Sequence, residues 1–306
     1  EAINFAARIL AIAGISAPPD FVPLARPELA EQYAQDISDK YLAGQHESIK
    51  RVIRMEIVPA INSQRPVLIL GETGTGKELV ARAIHDYGIW GNKDMVTENC
   101  QAFAMTGNFA QSRLFGCMEE KDAKEHPDKF EEGLLRKAHL NDLFLDEIGD
   151  MPPEIQTDFL RAVENHTFSL MGETNERLSF FRLIGATNKR VQETMRPDFL
   201  FRIARFVIRL PSLREHQDDI PLIWNRLLEK RDDCVHMDRP LLGKTDWATG
   251  NVELDTKLRD VVFKQQGAWP GNVRQLAFIQ ENLIALKSNH CIAVPKGRQA
   301  EDGWFV

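Results

Sequence analysis

The chain has 306 residues, 43% of them hydrophobic and 27% charged, and carries a formal net charge of −7. That length buries a full core and suggests a large and a small domain, while the acidic balance gives no overall attraction to nucleic acid unless basic residues cluster. The four cysteines, Cys100, Cys117, Cys234 and Cys291, form no C-x-x-C pair, which argues against a disulfide framework or zinc site and suits a reducing cytoplasm; no apolar run approaches membrane-spanning length.

Residues 2–15 are apolar, interrupted by Arg8 and without a basic leader, so they read as a packing helix rather than a signal peptide. A chain starting on Glu1 reads as a piece of something longer. Ala17-Pro18-Pro19-Asp20 and Val22-Pro23 mark a linker. Segment 27–40 is polar and reads as a helix, and Tyr41-Leu42-Ala43-Gly44-Gln45 opens another that runs to about Ile61. Val67-Leu68-Ile69-Leu70 is a buried strand by pattern, and Leu79, Val80, Ala83 and Ile84 recur at helical spacing in 78–85. Between them lies Gly71-Glu72-Thr73-Gly74-Thr75-Gly76-Lys77. Strand, glycine-rich turn and helix form the setting of a phosphate-binding loop: glycines let backbone N–H groups face phosphate oxygens, and Lys77 reaches the outer phosphates. Glu78 stands where a Ser or Thr would bind magnesium. A plain turn between two core elements is the alternative, which the spacing and both flanks disfavour.

Further short strands read at 95–100, 143–145, 181–188 and 206–210, the last ended by Pro211. Strands alternating with helices imply an α/β fold with a parallel sheet and its ligand at the strands' C-terminal ends. Beyond Pro211 only helices read, at 220–230, 254–266 and 273–287. The division expected is an N-terminal helix and linker (1–40), an α/β unit (41–215), a small helical unit (216–290) and a tail (291–306). Asp146 and Glu147 follow the third strand, placed to hold magnesium and to polarise an attacking water. Adjacent acids at a strand end also cap helices, a reading that loses ground downstream of such a loop.

Gly71 to Glu78, Asp146-Glu147, Gly185-Ala186-Thr187-Asn188, Leu213-Arg214-Glu215 and Trp269-Pro270-Gly271-Asn272-Val273-Arg274 occur together in order. In this the chain resembles the AAA+ domain of bacterial enhancer-binding proteins, the activators of sigma-54 RNA polymerase, over about 42–286. Glu78 is itself that family's habit. The resemblance implies an AAA+ P-loop fold with a helical lid, ATP and Mg2+ as ligands, and a homo-oligomeric ring, hexameric or heptameric. By the same resemblance Leu42, Ala43 and Gly44 line the adenine pocket. Asp146 holds the metal, Glu147 is catalytic, and Asn99 restrains Glu147 until a partner engages. Thr187 and Asn188 sense the terminal phosphate, and Arg274 reaches back from the lid. Arg196 and Arg202 match two arginine fingers offered to the neighbouring subunit. For Asn99, Thr187, Asn188, Arg274 and the finger pair, ordinary turn, strand-end or surface-helix roles stand open beside these.

The sequence departs from the family at three places. The Gly-Ala-Phe-Thr-Gly-Ala loop that engages sigma-54 is absent; 117–132 is dense in acids and lysines, with Met118 and Phe130 its only large apolar side chains. His216 stands where Leu-Arg-Glu-Arg would put arginine, and Leu140-Asn141-Asp142 replaces Gly-Gly-Thr. Two functions follow as expectations. One is an ATPase module of a sigma-54-type regulator with a diverged loop. The other is the same engine recruited as a remodeller or switch for another partner, such as a defence or repair assembly. DNA contact, if any, would need sequence outside this chain, since 287–306 is too short for a helix-turn-helix.

Overall fold

Strands with apolar residues on both faces are satisfied only inside a two-sided core. The computed structural model describes residues 27–104, 107–117, 132–229 and 269–288. The expected helix over 2–15 and its linker, loop residues 118–131, the helix 254–266 and the tail 291–306 lie outside the described residues. The described strands are β1 (Val67–Leu70), β2 (Val96–Asn99), β3 (Asn141–Asp146), β4 (Thr167–Ser169), β5 (Glu176–Leu178), β6 (Phe181–Thr187) and β7 (Phe206–Arg209). Five of them form one parallel sheet in the order β2-β3-β6-β1-β7, and β4 pairs antiparallel with β5.

Side chains alternate across this sheet. Leu143 and Leu145 enter one core with Phe159 and Phe199, while Val67, Ile69 and Phe144 enter the other with Val80 and Ile84. Each large apolar side chain so buried contributes about 1.5–3 kcal/mol. One face is covered by α1 (Pro27–Lys40), α2 (Glu47–Val52), α3 (Val58–Ile61) and α4 (Lys77–Asp86). The other carries α5 (Gly107–Phe115), α6 (Leu134–Lys137), α7 (Pro153–Asn165), α8 (Val191–Thr194) and α9 (Pro197–Ile203). A third, smaller core joins Leu213, Trp224, Trp269 and Leu276 and draws together α10 (Ile220–Glu229) and α11 (Asn272–Ser288). The fold class is the expected one, a parallel α/β sheet followed by helices.

Two local expectations differ from the structure. The helix expected to open at Tyr41–Gln45 begins at Glu47, capped by His46, whose Nδ1 accepts from the Ser48 amide at 3.2 Å. Residues 42–46 stay outside the helix, with Asp219 accepting the amides of Gln45 at 2.6 Å and His46 at 3.1 Å. The helix then passes through a π turn, Ile53–Ile57, into α3, whose second residue is a proline that has no N–H to donate backward. The β4–β5 hairpin has no counterpart among the expected strands. Its three-residue strands are too short to show a period, although Gly172, with φ +85°, marks the turn between them.

At the strands' N-terminal ends lies a fully buried ionic network. Arg182 donates to Asp142 at 2.6 and 2.7 Å and to the carbonyls of Ile61, Ser63 and Ile84 at 3.0, 3.0 and 3.2 Å. His85 bonds the same carboxylate at 2.7 Å. Burial opposes ionisation of Asp142, but the Arg182 guanidinium and the His85 hydrogen bond outweigh it and hold the carboxyl below its ordinary range. The departure at Leu140-Asn141-Asp142 therefore has a physical meaning: Asp142 supplies the counter-charge, and Leu140 takes φ +56°, which a glycine would adopt without strain. Asp142→Asn is expected to destabilise the fold by about 3–5 kcal/mol, because Arg182 is left buried and uncompensated. A denaturant midpoint unchanged from the parent's would show that the network is dispensable. An aspartate with a depressed folded value stabilises fully above its unfolded value of about 3.9. That contribution disappears as pH falls through the lower folded value.

Candidate functional site

Parallel register brings the C-terminal ends of β1, β3 and β6 level, with Leu70 opposite Thr187 and Asn99 opposite Asp146. The chain leaves β1 through Gly71–Gly76 and enters α4 at Lys77. Gly74 and Gly76 have φ of +79° and +95°, and no side chain caps the start of α4, so its first amides remain for another acceptor. Gly71 permits a close approach, since a Cβ there would stand 2.7 Å from Thr75 Oγ1. Thr75 Oγ1 donates to the Glu72 carbonyl at 2.8 Å, tightening the loop.

Lys77 is buried. Its Nζ donates to the carbonyls of Gly71 at 3.1 Å and Glu72 at 3.3 Å and lies 3.8 Å from Glu147 Oε1. Glu147 takes the left-handed conformation, φ +48°, immediately after β3. Such strain in a non-glycine residue persists only where the surroundings hold it, and here they do. Its Oε2 accepts from the Asn188 amide at 3.1 Å and from Thr187 Oγ1 at 3.4 Å, and its own amide donates to Asp146 Oδ1 at 3.0 Å. Asn188 also donates through Nδ2 to Thr73 Oγ1 at 2.9 Å. The structure thus brings Lys77, Asp146, Glu147, Thr187, Asn188 and the glycine-rich loop together.

The other candidates are placed as follows. Leu42 is buried, and its Cδ1 would stand 3.4 Å from a Cβ on Gly76, so it forms an apolar wall beside the loop. Gly44 sits so close to Ile49 and Asp219 that a Cβ would meet them at 2.8 and 3.0 Å. Glu78 turns its carboxylate outward to Arg82, at 2.9 Å. Asn99 accepts from the Gln101 amide at 2.9 Å, while Glu147 takes its hydrogen bonds from Thr187 and Asn188. Arg274 is exposed in the first turn of α11, with its Cβ 3.0 Å from where a Cβ on Gly74 would lie.

Arg196 and Arg202 stand apart from this cluster. Arg196 bonds Asp198 at 2.9 and 3.1 Å and Thr157 Oγ1 at 2.9 Å, and Arg202 pairs with Glu164. The reasoning from sequence passed over Gln156, which is fully buried on α7. It donates to the Met151 carbonyl at 2.8 Å and accepts the Arg196 amide at 2.9 Å, fixing where the Arg196 side chain starts. It passed over Asn272 too, which touches the loop from the helical unit. Asn272 belongs to the Trp269-Pro270-Gly271-Asn272-Val273-Arg274 run, but its partners Glu72 and Thr73 lie about 200 residues earlier in the chain.

Backbone donors at a helix start, a buried lysine and left-handed glycines form a cradle suited to a di- or triphosphate. Among the described residues no three His, Cys, Asp or Glu side chains cluster to bind a metal unaided. One carboxylate, Asp146, suits magnesium, which keeps water and phosphate oxygens as its other ligands.

The profile of the sigma-54 interaction domain matches residues 42–209, more than half of the chain. The transcriptional regulator VasH of Vibrio cholerae is 32% identical over 287 residues, covering 90% of this chain and 48% of its own length. The formate hydrogenlyase transcriptional activator FhlA of Escherichia coli is 35% identical over 257 residues, covering 80% and 33%. The chain thus spans half or less of these relatives. NtrX from Brucella abortus in complex with ADP aligns with a TM-score of 0.66 at 25% identity, over 92% of this chain and 56% of that one. Its ATP complex aligns at 0.65 and 25%, over 92% and 60%. The Hsp104–casein complex of S. cerevisiae, at 0.61 and 19% over 94% and 51%, shares the fold. No described helix is long and apolar enough to cross a membrane.

Proposed function

The chain belongs to the sigma-54 interaction domain family, and from that premise we propose that it is the ATP-hydrolysing AAA+ module of a sigma-54-type transcription regulator, working as a homo-oligomeric ring with a diverged partner loop. The observation that carries this reading is Lys77 buried between the loop carbonyls and Glu147, with Asp146, Thr187 and Asn188 converging on the same point.

Lys77 and the loop amides bind the phosphates of ATP, and Leu42 with the backbone at Gly44 borders the base. Glu147, oriented by Thr187 and Asn188, accepts a proton from the attacking water. Asp146 would hold a magnesium ion, which would supply charge neutralisation at the phosphoryl oxygens. Asn99, opposite Asp146 on the edge strand, restrains Glu147 in a different rotamer from the one described. Arg196, paired with Asp198 and Thr157, and Arg202, paired with Glu164, serve the site of the next subunit, where guanidinium groups stabilise charge developing in transfer. Arg274 couples phosphate occupancy to the angle of the helical unit.

A second reading is favoured by one observation, the absence of Gly-Ala-Phe-Thr-Gly-Ala from 117–132 and from the whole chain. On it, the same ATPase remodels a protein other than sigma-54. Two measurements on one preparation separate the possibilities. Specific ATPase activity should rise steeply with protein concentration, because each site is completed by a neighbour; a flat profile removes the ring. Capture of sigma-54 by protein holding ADP with a phosphate-transition-state mimic supports the first reading, and failure to capture it with the ring intact supports the second.

A further inference from the structure

Asn272 opens α11 in the left-handed conformation, φ +48°, and is fully buried. Asparagine is among the few residues that tolerate this conformation, and here every polar atom of its side chain is used. Oδ1 accepts the Leu213 amide at 2.7 Å, and Nδ2 donates to the Thr73 carbonyl at 3.0 Å and to Glu72 Oε2 at 3.2 Å. The next amide, of Val273, donates to the Gly74 carbonyl at 3.0 Å. Glu72 is held a second time by Arg214, with 2.8 Å between Nη1 and Oε2 and a contact of Nη2 with Oε1. That arginine hydrogen bond draws the Glu72 carboxyl below its ordinary range. Contact is close enough that a Cβ on Gly74 would fall 2.2 Å from the Gly271 carbonyl oxygen. Two consecutive peptide carbonyls of the loop are therefore gripped from the helical unit.

A trans peptide is planar, with its C=O and N–H pointing in opposite directions. Holding the Thr73 carbonyl toward Asn272 therefore turns the Gly74 N–H away from the helical unit. The Thr75 N–H, in the next plane, already donates to the Glu72 carbonyl at 3.3 Å. Gly74 has no side chain and φ +79°, so the remaining Thr73–Gly74 peptide plane rotates freely unless something outside the loop fixes it.

We propose that Asn272, seconded by the Glu72–Arg214 pair, is a positioning residue for nucleotide binding: by holding the Thr73 carbonyl it presents the Gly74 amide to a phosphate oxygen, so that the helical unit and the phosphate loop close as one body. The proposal rests on the nucleotide reading above and adds a residue and a mechanical link to it. Departure of the helical unit releases the loop carbonyls, and a phosphate that needs the Gly74 amide resists that departure.

The test uses the whole chain and ADP as the probe. Asn272→Gly keeps the left-handed backbone free of strain and removes only the side-chain hydrogen bonds. It should weaken ADP binding about tenfold or more, and it should speed hydrogen–deuterium exchange of the peptide containing Gly74 in nucleotide-free protein. Asn272→Asp keeps the acceptor for Leu213 but sets a carboxylate against Glu72 and the Thr73 carbonyl, so it should weaken binding further. Adding Glu72→Gln to Asn272→Asp should recover part of the loss, which a merely structural role would not produce. Unchanged ADP affinity and loop exchange in Asn272→Gly overturn the proposal. Should that variant fail to fold, Glu72→Gln alone leaves Asn272 in place, and faster loop exchange is again expected; parental exchange overturns the proposal. A parent chain that does not bind ADP defeats the nucleotide reading, while the exchange measurement still decides the clasp.

Discussion

Replacing Arg196 by alanine is expected to lower ATP turnover about 10³-fold or more while leaving ADP affinity close to the parent's. The expectation follows from where the side chain stands. Its guanidinium bonds Asp198 and Thr157 rather than the groups gathered around Lys77, so it is not expected to help hold its own subunit's nucleotide. Its surface ion pair with Asp198 adds little to stability, so the loss should not come from unfolding. Arg202, paired with Glu164, should behave alike. A mixing experiment makes the claim sharper. Arg196→Ala protomers retain an intact Glu147, and Glu147→Gln protomers retain an intact finger. If the two mix at random, about one interface in four combines the good halves, and turnover should reappear. No recovery in rings of parental size would place these arginines outside the reaction.

Lys77→Ala should weaken ATP binding by about 10²- to 10⁴-fold, the worth of two or so charge-assisted hydrogen bonds, whereas Glu147→Gln should bind ATP and fail to turn it over. The two residues are only 3.8 Å apart, yet different work is expected of them. Lys77 reaches from the first residue of α4 with the loop carbonyls of Gly71 and Glu72 around its ammonium, a setting that phosphate oxygens can take over. Glutamine at 147 keeps an oxygen for the Asn188 amide but cannot accept a proton from water, a loss of about 10²- to 10⁴-fold in rate. Equilibrium binding of a fluorescent ATP analogue, set beside steady-state hydrolysis, separates the effects. Hydrolysis by Glu147→Gln at the parental rate would remove that residue from the mechanism.

The family setting gives the partner loop particular weight. A compact apolar tip engages a protein surface by burying itself, and the acid- and lysine-rich sequence of 117–132 does not supply one. Sigma-54 capture is therefore the measurement on which the two functional readings part.

Much of the molecule was written in one dimension. Val67–Leu70, Gly71–Lys77 and the helix after it were legible because each signal is local: an apolar run, glycines that free the backbone, and a 3.6-residue repeat. Asp146-Glu147 and Thr187-Asn188 were legible because each ends a strand of a parallel sheet, and such ends meet at one edge. Tertiary structure alone decided which partner each polar group takes. Whether Asp142 meets Arg182, 40 residues away, or Asn272 meets Thr73, 199 residues away, depends on packing that no local pattern encodes. The same holds for the start of α2, before which Asp219 accepts the amides of Gln45 and His46, and for the β4–β5 hairpin, too short to carry a period of its own. Backbone preference acts over a few residues and can be read in order. Pairing of buried charges and amides is fixed by the need to satisfy each one where the folded chain has placed it, and that requirement exists only in three dimensions.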